Sequence, residues 1–307
     1  MFPVLLSIGN FPVSSFGLFL AMGIFTGAFA VWRIARGYDF DAEKILDLVF
    51  LTVGLGFLFA RISFVLSNLA IFDSFLKVFF LNRYPGLSFW GGFLGSLLAL
   101  WWFSRKLKIP YLQAADFAMT GFFLGAFFAE LGCLLGSCGV GITTGLFFGV
   151  DQVGEIGKRL PVQAFEAVIY LVIFLIFWKT VLKFYVQGSI FAKGIILVSL
   201  VKIGAVFFKS ESQMLRIPGL NINLDLLFAG IALLLGFIFY YKVNKKTPKQ
   251  DLASFLKLMT DTKRQKYLVT KLKKEWYNQK VNFWVKLGKG KKKLFKLLNI
   301  RSNPESF

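Results

Sequence analysis

Three ionisable residues stand where a membrane-spanning chain can least easily hold them: Arg61, Glu130 and Lys202. Each lies inside an apolar run, where a charge costs roughly 2.5–3.5 kcal/mol at mid-helix and so faces a partner or a cavity. Two chemistries suit the set. A buried Arg61–Glu130 or Lys202–Glu130 pair would offset the cost and serve the fold. A polar cavity would instead hold an anionic lipid headgroup, with Arg61 as a two-pronged phosphate fork and Lys202 as a point charge. Lys193 is close enough to a span end to snorkel and reads as structural. Asp116 and Glu166 lie nearer span ends, and Asp225 opens the last span.

The elements that must position these groups are legible in the composition. Of 307 residues, 56% are hydrophobic and 39 are Phe, a pattern of polytopic membrane proteins. A spanning helix needs about 20 mostly apolar residues. Seven runs qualify, near 17–35, 45–68, 88–103, 114–138, 161–182, 188–208 and 223–241. Alternating barrel-type strands are absent, so the spans are expected to be helices, whose backbone groups are satisfied internally. The expected fold is therefore an all-α polytopic membrane protein with seven transmembrane helices. The third run is short and rich in Gly and Trp, with ends open to irregularity. A transporter would call for paired broken helices, and the sequence has no matching pair.

Glycines cluster beside the charges. Gly91, Gly92 and Gly95 open the third run, and the fourth ends in Gly132-Cys133-Leu134-Leu135-Gly136-Ser137-Cys138-Gly139-Val140-Gly141. Small residues let helices pack closely, and they also let backbone N–H groups approach a ligand. The second segment is expected to end in a glycine-rich turn at the outer face. Cys133 and Cys138, if both are helical, stand about 140° apart, poor geometry for a shared metal. They read as small membrane-helix residues, and no metal or cofactor is expected.

The formal charge of +20 is unevenly placed: from Lys242 onward nineteen Lys or Arg face four acidic residues. Residues 1–242 read as one membrane domain and 243–307 as a basic cytoplasmic tail. A free basic tail would fit nucleic acid. Attached to a membrane body, it marks the cytoplasmic side and binds anionic headgroups. Seven spans then put the N-terminus outside. The outer loops would carry Lys77, Arg83, Lys158, Arg159, Lys209 and Arg216. No basic segment precedes the first apolar run, so a cleaved signal peptide is not expected. In the tail, Leu252, Phe255, Leu256 and Met259 share one helical face, as do Leu268, Leu272 and Trp276. With Phe283 and Trp284 among lysines, they read as helices lying in the membrane interface.

Across most of residues 5–240 the chain resembles the prolipoprotein diacylglyceryl transferases. Ser7-Ile8-Gly9 followed by Phe16-Gly17-Leu18 is similar to that family's entry into its first span. Ala60-Arg61-Ile62-Ser63-Phe64-Val65 resembles its Gly-Arg-Ile-Gly-Tyr-Val, and Gly86-Leu87-Ser88-Phe89-Trp90-Gly91-Gly92 its Gly-Met-Ser-Phe-His-Gly-Gly. Ala115-Asp116-Phe117 is similar to the start of its fourth span, and the segment Glu130 to Gly141 to the Arg-Ile/Leu-Gly-Asn/Cys…Gly that follows. Leu160 to Ala167 resembles His-Pro-Ser-Gln-Leu-Tyr-Glu-Ala, and Lys202 to Lys209 resembles Arg-Phe-x-x-Glu-x-x-Arg.

The resemblance implies seven transmembrane helices in a bacterial cytoplasmic membrane. It also implies transfer of the diacylglyceryl group of phosphatidylglycerol to the lipobox cysteine of a prolipoprotein, with prolipoprotein signal peptides as partners and glycerol phosphate released. A leaving phosphate must be neutralised, and a base must help form the thiolate nucleophile. Arg61, Gly91, Gly92, Gly141, Gln163 and Glu166 fit the family's pattern as substrate-binding positions. The departures fall on the chemistry. Phe16 replaces a tyrosine, Trp90 the basic histidine, Glu130 an arginine, Lys202 a second arginine, and Val206 an acidic partner. A Trp accepts no proton, so Glu130 is left as acid or base, with Lys202 and Arg61 for phosphate. The other reading is a catalytically silent relative that binds phospholipid or signal peptides through the same cavity.

Overall fold

A computed structural model describes residues 2–9, 11–69, 72, 75–79, 84–183, 185–210, 223–245, 247–251, 270, 273 and 274. Arg83, Arg216 and the tail residues Leu252, Phe255, Leu256, Met259, Leu268, Leu272, Trp276, Phe283 and Trp284 lie outside them. The chain divides into two compact units, Met1–Lys245 and Lys246–Phe307. In the second, residues 248–251 are helical.

The first unit opens with an antiparallel hairpin, β1 (Val4–Ile8) and β2 (Phe11–Ser14), turning at Gly9 with φ +60. Seven α-helices follow among the described residues: α1 (Ser15–Arg36), α2 (Ala42–Ser67), α3 (Phe89–Lys106), α4 (Tyr111–Leu135), α5 (Val162–Val181), α6 (Ser189–Val206) and α7 (Leu224–Asn244). Their bounds agree within three residues with the apolar runs read from the sequence. All except α3 are long and apolar enough to cross a membrane. The chain is a mostly helical, multi-pass membrane protein. The hairpin was not expected from the sequence; its strands are too short to bury a face.

Starts and stops follow local chemistry. Ser14, Asp41, Ser88 and Asn223 cap α1, α2, α3 and α7, accepting from Gly17, Glu43, Gly91 and Asp225 N–H groups, as short polar side chains do best. The fourth apolar run was expected to reach 138, but α4 ends at Leu135. Gly136 closes it and Ser137 turns into the left-handed region at φ 58.

α4 is the central helix, packed on α1, α3, α5 and α6. Against α1 the approach is set by glycine on both sides. A Cβ at Gly27 would come 2.9 Å from the Gly121 carbonyl, and one at Gly23 2.7 Å from the Gly125 carbonyl. Both pairs are spaced by four, the small-xxx-small arrangement of membrane helices. Elsewhere the core is aliphatic and aromatic, with Ile34, Phe117, Phe123, Tyr170 and Ile190 fully enclosed. The outward faces stay apolar, as at Val168, Trp102 and Leu234, so lipid is the environment they fit.

One buried charge does structural work at the far end of the bundle from the site. Asp116 of α4 accepts the Gly188 N–H at 2.5 Å and the Phe191 N–H at 2.7 Å. It thereby caps α6, whose own N-cap residue is a glycine without a side chain. Tyr38, in the α1–α2 loop, donates to the Val181 carbonyl at 2.5 Å. Burial first, and then the Asp116 charge, push the Tyr38 and Tyr185 hydroxyls above the ordinary phenol range, so both stay protonated.

Candidate active site

The ends of three helices meet around one ammonium. Glu130 lies in the last turns of α4, Glu166 in the opening turns of α5 and Lys202 in the last turns of α6. Because α5 runs opposite to its neighbours in sequence, all three side chains arrive at the same level. Lys202 Nζ donates to Glu130 Oε1 at 2.9 Å and to Glu166 Oε1 at 2.8 Å. Below it the Phe89 ring lies 4.7 Å from Nζ and the Tyr170 ring 5.7 Å, aromatic faces that favour a desolvated cation. Lys209, just beyond α6, brings its Nζ to 3.8 Å from Glu166 Oε2. Two carboxylates and two ammoniums therefore balance. Of the two pairings left open by the sequence, Lys202–Glu130 is the one formed.

Glu166 carries more than a substrate-binding expectation allowed. It is 2% exposed and holds both lysines. Tyr170 was missed altogether, and Lys209, read as an outer-loop cation at the end of a motif, was given no place in the site. Tyr170 follows Glu166 by four, so helical spacing puts both on one face, and that spacing was the available signal.

The glycine-rich turn after α4 forms the wall beside this cluster. Gln163 of α5 donates to the carbonyls of Cys138 and Gly139, the latter at 2.7 Å. Val140 accepts from Ser210 N at 2.8 Å, and Ile142 both donates to Phe208 O and accepts from Leu160 N. Gly141 passes so close to the Leu160 carbonyl that a side chain there would strike it. Gln163 and Gly141 thus serve the shape of the wall. Cys133 and Cys138 are joined by a disulfide. Reading both as helical residues was wrong: α4 stops before Cys138, and the turn folds it back.

The remaining predicted residues sit on α2 and α3. Arg61 is 5% exposed and spends its guanidinium on backbone carbonyls: Nε on Val78 at 2.8 Å, Nη1 on Gly86 at 2.9 Å, Nη2 on Lys77 at 3.5 Å. It ties the α2–α3 connection to α2 rather than pairing with Glu130. Trp90, 5% exposed, packs its ring on Phe89, Phe93 and Phe228. Gly91 and Gly92 face α2, where Cβ atoms would press on Ser63 and Ala60.

The fold and the cluster together define the class: a multi-pass helical membrane protein with two Lys and two Glu balanced where three helix ends meet. Residues 3–242 match the family model described as prolipoprotein diacylglyceryl transferase. The chain is 33% identical over 151 residues to the phosphatidylglycerol–prolipoprotein diacylglyceryl transferase of Deinococcus radiodurans, covering 47% of this chain and 44% of that protein. Over 179 residues it is 26% identical to the protein so named in Dehalococcoides mccartyi, covering 56% and 68%. Over 185 residues it is 36% identical to that of Pseudoalteromonas atlantica, covering 57% and 64%. The chain belongs to the prolipoprotein diacylglyceryl transferase family.

Proposed function

We propose that this protein transfers the diacylglyceryl group of phosphatidylglycerol to the lipobox cysteine of prolipoproteins. The family match over residues 3–242 carries the reading, and the Lys202 cluster supplies groups suited to the chemistry. The cysteine thiol gives its proton to Glu130. The sulfur then attacks the glyceryl carbon that bears the phosphate, the carbon–oxygen bond breaks, and glycerol phosphate leaves with the electron pair. Protonation of Glu130 changes the charge balance of the cluster from zero to +1. Lys202 loses one of its two carboxylate partners as the phosphate develops charge, so neutralisation is timed to the transition state. Glu166 keeps Lys202 in place.

The wider setting follows from the same reading. α3, about 27 Å long at 1.5 Å per residue, comes close to a hydrocarbon core of about 30 Å and serves as a seventh span. The basic tail 243–307 lies on the cytoplasmic side against anionic lipid, and the N-terminus and the Lys202 cluster lie toward the outer leaflet of a bacterial cytoplasmic membrane. Residues 1–242 form the catalytic domain.

The second reading, a silent relative that binds lipid or signal peptides, is favoured by one observation. Trp90 stands where the resemblance places a basic histidine, and it is packed among aromatic rings. Purified protein, phosphatidylglycerol liposomes and a lipobox peptide decide between them. Diacylglyceryl-peptide that forms with the parent protein and vanishes in Glu130→Gln supports the transferase. Saturable lipid binding without product makes the silent relative the better account.

A further inference from the structure

A connection between two spans ordinarily meets water with polar side chains, yet the barest side chains between α4 and α5 are apolar. Phe147 and Ile156 are each 92% exposed, and Leu146, Phe148 and Val153 are exposed with them. Apolar surface gathered in this way marks a site of interaction. The loop that displays it is built from paired groups. Arg159 and Val150 exchange both backbone hydrogen bonds at 2.9 Å, and the Arg159 guanidinium pairs with Glu155 at 2.6 Å. Val153 N–H donates to Ser137 Oγ at 3.2 Å, which ties the loop to the glycine-rich turn beside the Lys202 cluster. Gly149 N–H closes the turn at Phe147 by donating to the Leu146 carbonyl at 3.0 Å.

What covers Phe147 follows from the surface it continues. Its ring centroid lies 5.1 Å from that of Phe148, which lies 6.0 Å from that of Phe165 in the opening turns of α5. Phe165 heads an exposed stripe of Val168, Ile169, Val172, Leu175 and Ile176, at the spacing of one helix face. α5 is long and apolar enough to cross a membrane, so this stripe faces lipid. The three rings carry the lipid-facing surface past the end of the span and onto the loop. Irregular backbone is not tolerated against the hydrocarbon itself. The turn must therefore lie at headgroup level, with only its side chains reaching the acyl boundary, where apolar side chains gain by burial.

We propose that the Leu146-Phe147-Phe148 turn is a membrane anchor, which docks on the leaflet at the Lys202 end of the bundle with Phe147 inserted at the boundary of headgroups and acyl chains. The anchor requires only that α5 spans the bilayer, and it stands or falls independently of the reaction. Through the bond from Val153 to Ser137, it fastens the wall beside the Lys202 cluster to the lipid surface.

A single spin label tests this. Cys133 and Cys138 are bonded to each other and the chain has no other cysteine, so Phe147→Cys offers one thiol to a nitroxide. Val168→Cys, on the lipid-facing stripe, and Lys183→Cys, exposed just after α5, give the two reference readings. The full chain is placed in liposomes of phosphatidylcholine and phosphatidylglycerol. Collision of the label with oxygen, which concentrates in lipid, is compared with collision with a water-soluble nickel chelate. The label at 147 is expected to favour oxygen, at a depth shallower than 168 and deeper than 183. Where Phe147→Cys folds poorly, Leu146→Cys carries the same label in the same turn. Nickel accessibility equal to that at 183 overturns the anchor. Protection that arises only when a lipobox peptide is added assigns the turn to a peptide and overturns the leaflet as its occupant. Dipolar broadening between labels assigns it to a second copy of the chain, with the same consequence.

Discussion

Lys202 Nζ stands 2.8 Å from Glu166 Oε1, so the cation that the sequence offers to a phosphate is already in use. Glu130 claims it from the other side at 2.9 Å. A lysine held this way is a poor resting anion site and a good latent one. It is released in part by whatever protonates or displaces one carboxylate. Under the proposed transfer, that property would link the acid–base role of Glu130 to the phosphate-binding role of Lys202, and the Lys202 replacement probes it first.

Lys202→Met removes the ammonium and leaves two buried carboxylates facing each other. Breaking a buried pair from one side costs about 3–5 kcal/mol. The thermal midpoint in detergent should fall sharply. It should be partly restored when Glu130→Gln is added, because one of the stranded charges goes. A single variant as stable as the parent would mean that the cluster is not desolvated.

Gly27→Val pushes a branched side chain into the Gly121 carbonyl and should cost about 1–3 kcal/mol by overpacking. Gly54 lies in α2 with open space around its Cα. Gly54→Ala should therefore be neutral or slightly stabilising, as helix propensity favours alanine. Unfolding midpoints of the pair measure the α1–α4 seam against a control of the same kind.

Asp116→Ala strips α6 of its borrowed cap. The two N–H groups at Gly188 and Phe191 lose their acceptor, at a cost of about 0.5–2 kcal/mol. Asp116→Asn keeps one acceptor and should fall between Ala and the parent. Amide exchange at Gly188 and Phe191 reports it locally: faster exchange in the Ala variant confirms the cap, and unchanged exchange removes it.

The Cys133–Cys138 disulfide predicts a labelling pattern. In unfolded but unreduced protein a maleimide should find no thiol, and after reduction it should find two, since the chain has no other cysteine. Mass spectrometry reads the count directly. Labelling before reduction would place both cysteines in the thiol state.

Much of this was legible in the sequence. The apolar runs located α1 to α7 because lipid imposes length and hydropathy on a span with little competition from other signals. The cost of leaving a charge alone gave Glu130 a partner in either Arg61 or Lys202, and the structure forms the second. What escaped depended on turns and on facing, not on composition. With Ser137 at positive φ, α4 ends at Leu135, three residues before the apolar run does, and the turn brings Cys138 back to Cys133. Arg61 answers to carbonyls of a connection whose path no periodicity announces. Glu166 matched a family pattern so well as a binding residue that its place as the second anchor of Lys202 was hidden, and Tyr170 looked like one aromatic among many.

The two charges that join α4 to α6 have a mechanical meaning together. Asp116 grips the first turn of α6, and Glu130 grips it near the last through Lys202. Along α4 the grips are about 21 Å apart at 1.5 Å per residue. Turning α6 by one residue, about 100°, would swing Lys202 off its carboxylates and pull the first-turn amides from Asp116. A rod mounted at both ends can flex but cannot spin. α7 packs chiefly on this doubly held rod, burying Ala229 and Gly236.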